Sequence, residues 1–339
     1  MKLSFYKSIS GLLFIIIIII FSFFVASRSS DIGRDTLAYK NYFENIEYYS
    51  TYGQYEFGFH YLTYIINLAF GNYFIYLVFL FILINILFLI LINNFITINH
   101  KKEYLFTFFL FLSLLLLSSW YQVATLNGIR QGLSLVILYV ACSFFYIKKP
   151  FMALFLLFIS LLFHTSTLLI LPFLLLIFLK KQYVIYIFFI VSLFYPLGIN
   201  EKLIFVISSI SGLPLYSTIY NYAEGVDAWV GFQLNFYLYS LFFCVFFIFT
   251  NYLFNKNLDN NDYILKLFLI LTVVYFLFGF GVYSNRFGFM SWLFLPVIQA
   301  IYLSKILLNY LRLNTCILIL YVLLISGILN FYILLNPLI

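Results

Sequence analysis

The stretch NGIRQGLSLVILYVACSFFY, residues 127–146, decides how the chain is read. Asn127, Gly128, Arg130 and Gln131 come first, and an apolar run without a charge then reaches Tyr146. A run of that length is a membrane-crossing helix. One guanidinium therefore stands at the end of a span, where an ionisable group is costly and defaults to a functional role.

Working outward, the other 300-odd residues repeat the apolar pattern. Of 339 residues, 65% are hydrophobic and 9% charged, too apolar for a soluble chain of this length. Apolar runs approaching 20 residues point to helical spans, because barrel strands would alternate and give a weaker signal. The expected fold class is all-α, a polytopic transmembrane helical bundle in one integral membrane domain, residues 1–339. The net charge of +7 sits in short connections and at the N-terminus. That is orienting charge rather than a nucleic-acid surface, so no nucleic-acid partner is expected. Cys142, Cys244 and Cys316 all fall in apolar runs and read as core residues.

Lys2 and Lys7 before about 20 apolar residues make the first segment an uncleaved anchor with a cytoplasmic N-terminus. Basic clusters at His100-Lys101-Lys102, Lys148-Lys149 and Lys180-Lys181, with Lys256, Lys305 and Arg312, can all be cytoplasmic at once. The parity gives about 11 spans, near 9–27, 73–98, 103–119, 125–147, 150–164, 166–179, 183–198, 232–254, 262–281, 286–308 and 313–335. Residues 28–72 then form a first periplasmic loop, and 199–231 a large second one. Within the first, Glu56, His60, Thr63 and Asn67 recur at helical spacing as one polar stripe. This predicts a short interfacial or re-entrant helix ending at Gly71-Asn72, its stripe facing outer water or an internal cavity. The hairpin 150–179 leaves about 15 residues per span, roughly 22 Å against a hydrocarbon core of about 30 Å. Its tip, His164-Thr165-Ser166, is therefore predicted below the outer surface.

On this topology Arg34, Arg130 and Arg286 lie outside, against the charge bias for short loops. Asn127, Gln131 and Ser134 share one side with Arg130, and Arg286 follows Tyr283 in a tight turn. In one reading the guanidiniums converge on a diphosphate, whose oxygens match the planar donor fork of arginine. In the other they anchor headgroups or form ion pairs with Asp31, Asp35 or Glu56. His164 is a candidate general base, and Asp35 and Glu56 are alternative bases in the first loop. No P-loop, nucleotide-binding glycine pattern, HExxH or CxxC occurs, so neither a nucleotide cofactor nor a metal site is indicated.

These residues resemble the EpsG/Wzy-type family of polysaccharide (O-antigen) polymerases. The matching pieces are Gly33-Arg34-Asp35-Thr36 with Tyr39 and Phe43, Glu56-Phe57-Gly58-Phe59 with Leu62, and Asn127-Gly128-Ile129-Arg130-Gln131. Lys148-Lys149, His164-Thr165-Ser166 before Pro172, and Tyr283-Ser284-Asn285-Arg286 follow in order. The resemblance implies a glycosyltransferase of the bacterial inner membrane whose active site faces the periplasm. Its donor and acceptor would be oligosaccharide repeat units on undecaprenyl diphosphate, joined with release of that carrier. It implies no cofactor and no metal, membrane lipid as surroundings, and a chain-length regulator as an accessory partner. Two alternatives stand beside it: a ligase that moves finished glycan onto lipid A core, and a flippase or transporter that binds the diphosphate without breaking it.

Overall fold

The computed structural model describes residues 2–29, 32–33, 35–52, 55–99, 103–221, 231–253, 262–281 and 283–335. The described residues are overwhelmingly helical, and no strand occurs among them. Two compact units divide the chain: residues 1–167 with 299–339, and residues 168–298.

In the first unit the helices are α1 (Lys2–Ala26), α2 (Thr36–Glu44), α3 (Ile46–Tyr52), α4 (Phe57–Phe70), α5 (Tyr73–Asn99), α6 (Tyr104–Leu117), α7 (Ser119–Gln122), α8 (Ile129–Tyr146) and α9 (Pro150–Phe163). A π-helical turn, Val123–Asn127, joins α7 to α8. Helix α8 is the axis of this unit: Gly132 to Ser143 is buried throughout, and α5 and α9 pack along it. A helix apolar on every side has to be enclosed by others. The expected first periplasmic loop is three helices, α2 to α4, folded over the start of α5.

The second unit holds α10 (Leu171–Leu174), α11 (Lys181–Phe194), α12 (Ile199–Ser211), α13 (Leu215–Asn221), α14 (Leu234–Leu253), α15 (Asp262–Phe278) and α16 (Ser284–Trp292). Here α15 is enclosed, buried from Leu267 to Phe278, with α10, α11, α12, α14 and α16 around it. The chain leaves this unit inside α17 (Leu295–Tyr310), and α18 (Leu313–Leu335) packs on α6 in the first unit.

Among the described residues five helical stretches are long and apolar enough to cross a membrane alone, and up to seven if each bent pair counts once, beside the expected 11. The chain is a multi-pass membrane protein. Three places depart from the expected straight spans. Helix α9 has 14 residues, about 21 Å. The return at 165–178 breaks into two 3₁₀ turns around α10, where Pro172 removes a backbone donor. The expected loop at 199–231 begins with α12, an apolar helix that follows α11 at a bend of 97°. All three cysteines are buried and free, as expected of core residues.

The polar stripe of α4 is tied to the first unit's own helices. The helix ends where predicted, with Gly71 in the left-handed conformation at φ 57°. His60 bonds Tyr42, Thr63 bonds Tyr76, and Asn67 donates to the Phe43 carbonyl. The outward face is instead Phe57, Tyr61, Ile65 and Leu68, all exposed. A short helix with few polar groups hydrogen-bonds them inward and leaves its apolar and aromatic side exposed.

Candidate active site

The site forms where the starts of α4 and α8 meet the end of α9, all in the first unit. The π turn ends at Asn127, whose side-chain oxygen accepts from the Asp35 backbone N–H at 2.9 Å. Helix α8 begins two residues later, folded so tightly over the turn that a Cβ on Gly132 would lie 2.7 Å from the Ala124 Cβ. Arg130 is then the second residue of α8, at the positive end of the helix dipole, an unfavourable place for a cation. A carboxylate answers it: Arg130 Nη1 donates to Glu56 Oε2 at 2.7 Å. The guanidinium also lies over the Tyr55 ring, 3.9 Å from its centroid.

Glu56 precedes α4 in extended conformation, yet its side chain does not cap that helix. Its second oxygen, Oε1, accepts from His164 Nδ1 at 2.5 Å and from the Thr165 backbone N–H at 3.4 Å. What permits this is Gly58, where a Cβ would lie 2.8 Å from the Leu162 carbonyl oxygen. Only a residue without a side chain lets the first turn of α4 cross the last turn of α9 this closely, which sets Glu56 against His164. Burial alone would push the Glu56 carboxyl up. The hydrogen bond and charge of His164, helped by Arg130, overcome that and hold it at about 2.

An ionised carboxylate is an acceptor only, so His164 Nδ1 carries the hydrogen. In the neutral imidazole Nε2 is then bare, and among the described residues it bonds to nothing. The His164 side chain is 22% exposed. The arrangement is that of a carboxylate-oriented histidine base. Two buried polar atoms here also lack a protein partner, Arg130 Nε and Ser166 Oγ.

The candidates from the sequence thus separate. Arg130, Glu56 and His164 come together, with Asn127 holding the backbone of Asp35 beside them. The Asp35 side chain is half-buried and ends no hydrogen bond among the described residues. Gln131, half-buried, follows Arg130 in the first turn of α8. Ser134 points instead at α9, donating to the Ser160 carbonyl at 2.7 Å. Arg34 lies outside the described residues. Arg286 is in the second unit, exposed in the first turn of α16 and stacked on Tyr283 at 4.6 Å. Among the described residues no group of His, Cys, Asp and Glu is arranged to hold a metal ion.

Sequence reasoning missed Tyr42 and Tyr55 near Arg130, because among 31 tyrosines neither stands out, and it quoted Tyr39 only as part of a matching motif. It also missed Arg28, which is buried and donates to the carbonyls of Val25 and Leu126, tying the end of α1 to the π turn. A Pro- and Gly-poor arginine just beyond a span was the only available signal.

Against known families, the model of the EpsG family matches residues 11–337, nearly the whole chain. No curated protein and no solved structure matches it.

Proposed function

The chain belongs to the EpsG family, and from that membership and the Glu56 centre we propose a polysaccharide polymerase acting on lipid-diphosphate-linked repeat units. The acceptor hydroxyl attacks the anomeric carbon of the donor glycan. A new glycosidic bond forms, the bond from that carbon to the diphosphate oxygen breaks, and undecaprenyl diphosphate leaves with the electron pair.

His164 takes the hydroxyl proton at Nε2. It suits that task better than Glu56, since a carboxylate held at about 2 is a weak base at neutral pH. Glu56 instead fixes the imidazole and stabilises the imidazolium that forms. Asp35 is the alternative base. Arg130 offers the leaving diphosphate its Nη2, the terminal nitrogen not taken up by Glu56. Asn127 and Gln131 are proposed to support it; Arg34, outside the described residues, and Arg286 with Tyr283, in the second unit, are proposed as further diphosphate-binding residues. No nucleotide or metal is needed in this scheme, because the donor already carries its leaving group. The site is proposed to face the periplasm of the inner membrane.

The observation that carries the reading is the His164–Glu56–Arg130 chain, a base and an anion-binding cation oriented by one carboxylate. The test is reconstitution of purified protein in lipid vesicles with extracted lipid-linked repeat units. A glycan ladder and free undecaprenyl diphosphate are expected from wild type, and neither from Arg130→Ala or His164→Ala. Transfer only when lipid A core is added would make it a ligase. Movement of the unit across the membrane without diphosphate release would make it a carrier.

A further inference from the structure

One turn beyond Glu56 on α4, a second histidine is held in the opposite sense. Tyr42 Oη lies 2.6 Å from His60 Nδ1. Tyr42 is 1% exposed, and this is its one hydrogen-bond partner among the described residues. Were Nδ1 the donor, the phenol hydrogen would be buried with no acceptor, at a cost comparable to a lost hydrogen bond. The phenol must therefore donate, and burial, which raises its pKa to about 12, keeps it protonated. Nδ1 of His60 is the acceptor, and its hydrogen sits on Nε2. His164 presents a bare nitrogen, whereas His60 presents an N–H.

The surroundings of His60 are aromatic. Its ring is nearly parallel to Tyr64 at 6.4 Å and edge-on to Tyr61 at 5.5 Å. Both tyrosines are open, at 48% for Tyr61 and 38% for Tyr64. An exposed ring beside a fixed N–H donor is the chemistry that recognises a sugar: the apolar C–H face packs on the π face and a hydroxyl accepts the hydrogen bond. An anion would find no cation in this trio.

We propose that His60, fixed by Tyr42, donates from Nε2 to a hydroxyl of the acceptor glycan, whose ring packs on Tyr61 and Tyr64. This subsite rests on the polymerase reading and assigns it an acceptor pocket. His60 and His164 then divide the work by tautomer, one donating to the acceptor and the other taking its proton. Tyr42 is a positioning residue, acting only through His60.

Two measurements test this. The chain has three histidines, so long-range ¹H–¹⁵N spectra of histidine-labelled full-length protein in lipid nanodiscs can be assigned with His60→Gln and His164→Gln. His60 is expected to be protonated at Nε2 and to become a tautomer mixture in Tyr42→Phe. Protonation at Nδ1 in wild type overturns the proposal. In the vesicle assay, His60→Phe is expected to raise KM for the lipid-linked acceptor about tenfold more than it lowers kcat, the loss of one neutral hydrogen bond. His60→Gln, which keeps an N–H donor, recovers most of it. An unchanged KM in His60→Phe overturns the proposal. Should wild type lengthen nothing, the polymerase reading falls by itself. Calorimetric binding of the same lipid-linked unit then decides His60, equal affinity in His60→Phe being the refuting result.

Discussion

Each unit contains an ionic cluster built on one cation and one carboxylate, and the two are finished differently. In the second unit Lys181 opens α11 and donates at 2.8 Å to both Asn251 near the end of α14 and Asp262 at the start of α15. Asn251 in turn donates to Asp262 at 3.4 Å. Three helix ends are clamped, and these donors and acceptors satisfy one another. In the first unit the Glu56 centre gathers a cation, a carboxylate and an imidazole, yet His164 Nε2, Arg130 Nε and Ser166 Oγ have no partner among the described residues. Native proteins rarely leave such groups open except where something else is to bind or react. The lesson is that an ion pair by itself does not tell a clamp from a site; the difference here is an exposed imidazole gathered onto the same carboxylate.

The largest effect that would separate the two clusters is expected from Glu56→Gln. It leaves Arg130 without its counter-charge and lets the His164 imidazole turn, so polymerisation should fall by about a thousandfold or more. Near-normal glycan ladders from this variant would reduce the Glu56 centre to a second clamp. Next is Gly58→Ala, which touches no charged group but drives α4 off the end of α9. A loss of about a hundredfold is expected. Gly11→Ala in α1, where a Cβ meets nothing within 4 Å, should be silent in the same assay.

The third contrast is thermal stability against pH in detergent. Glu56 is depressed from 4.5 to about 2 in the folded protein. Its contribution is therefore fully present above about 4.5 and lost as pH falls from there towards 2. Wild type should lose about 2 kcal/mol more than Glu56→Gln across that window. Parallel pH curves would remove the carboxylate from the stability argument. The smallest effect is expected from Lys181→Met, which should lower stability by about 1 kcal/mol or less and leave polymerisation at the wild-type rate. A loss of activity there would erase the distinction drawn between the clusters.

Arg130 and His164 were legible as candidates because polar residues at the ends of apolar runs are conspicuous. Their meeting was not, since Glu56 lies 74 residues from Arg130 and 108 from His164. The ion pair with Glu56, one of two readings open to Arg130, is present in the fold. Gly58 stood within a matching motif, but nothing in one dimension says that a carbonyl of Leu162 lies where its side chain would be. The straightness of the spans was illegible for a related reason. Hydropathy counts apolar residues, whereas Pro172 and the bend between α11 and α12 decide whether they form one straight helix.

By itself the sequence determined that the chain is helical and membrane-embedded, because 65% apolar residues in long runs leave backbone groups no other way to pair in lipid. It also determined which few polar side chains could act, since each is costly in such surroundings. Only the tertiary structure decided their partners. Glu56 lies against Nδ1 of His164 and the Tyr42 hydroxyl against Nδ1 of His60, and on the proposal above these contacts make one ring an acceptor and the other a donor. Hydrogen-bond roles are set by the atom on the far side of the contact, and that atom is brought there by helix crossings rather than by neighbours in the chain.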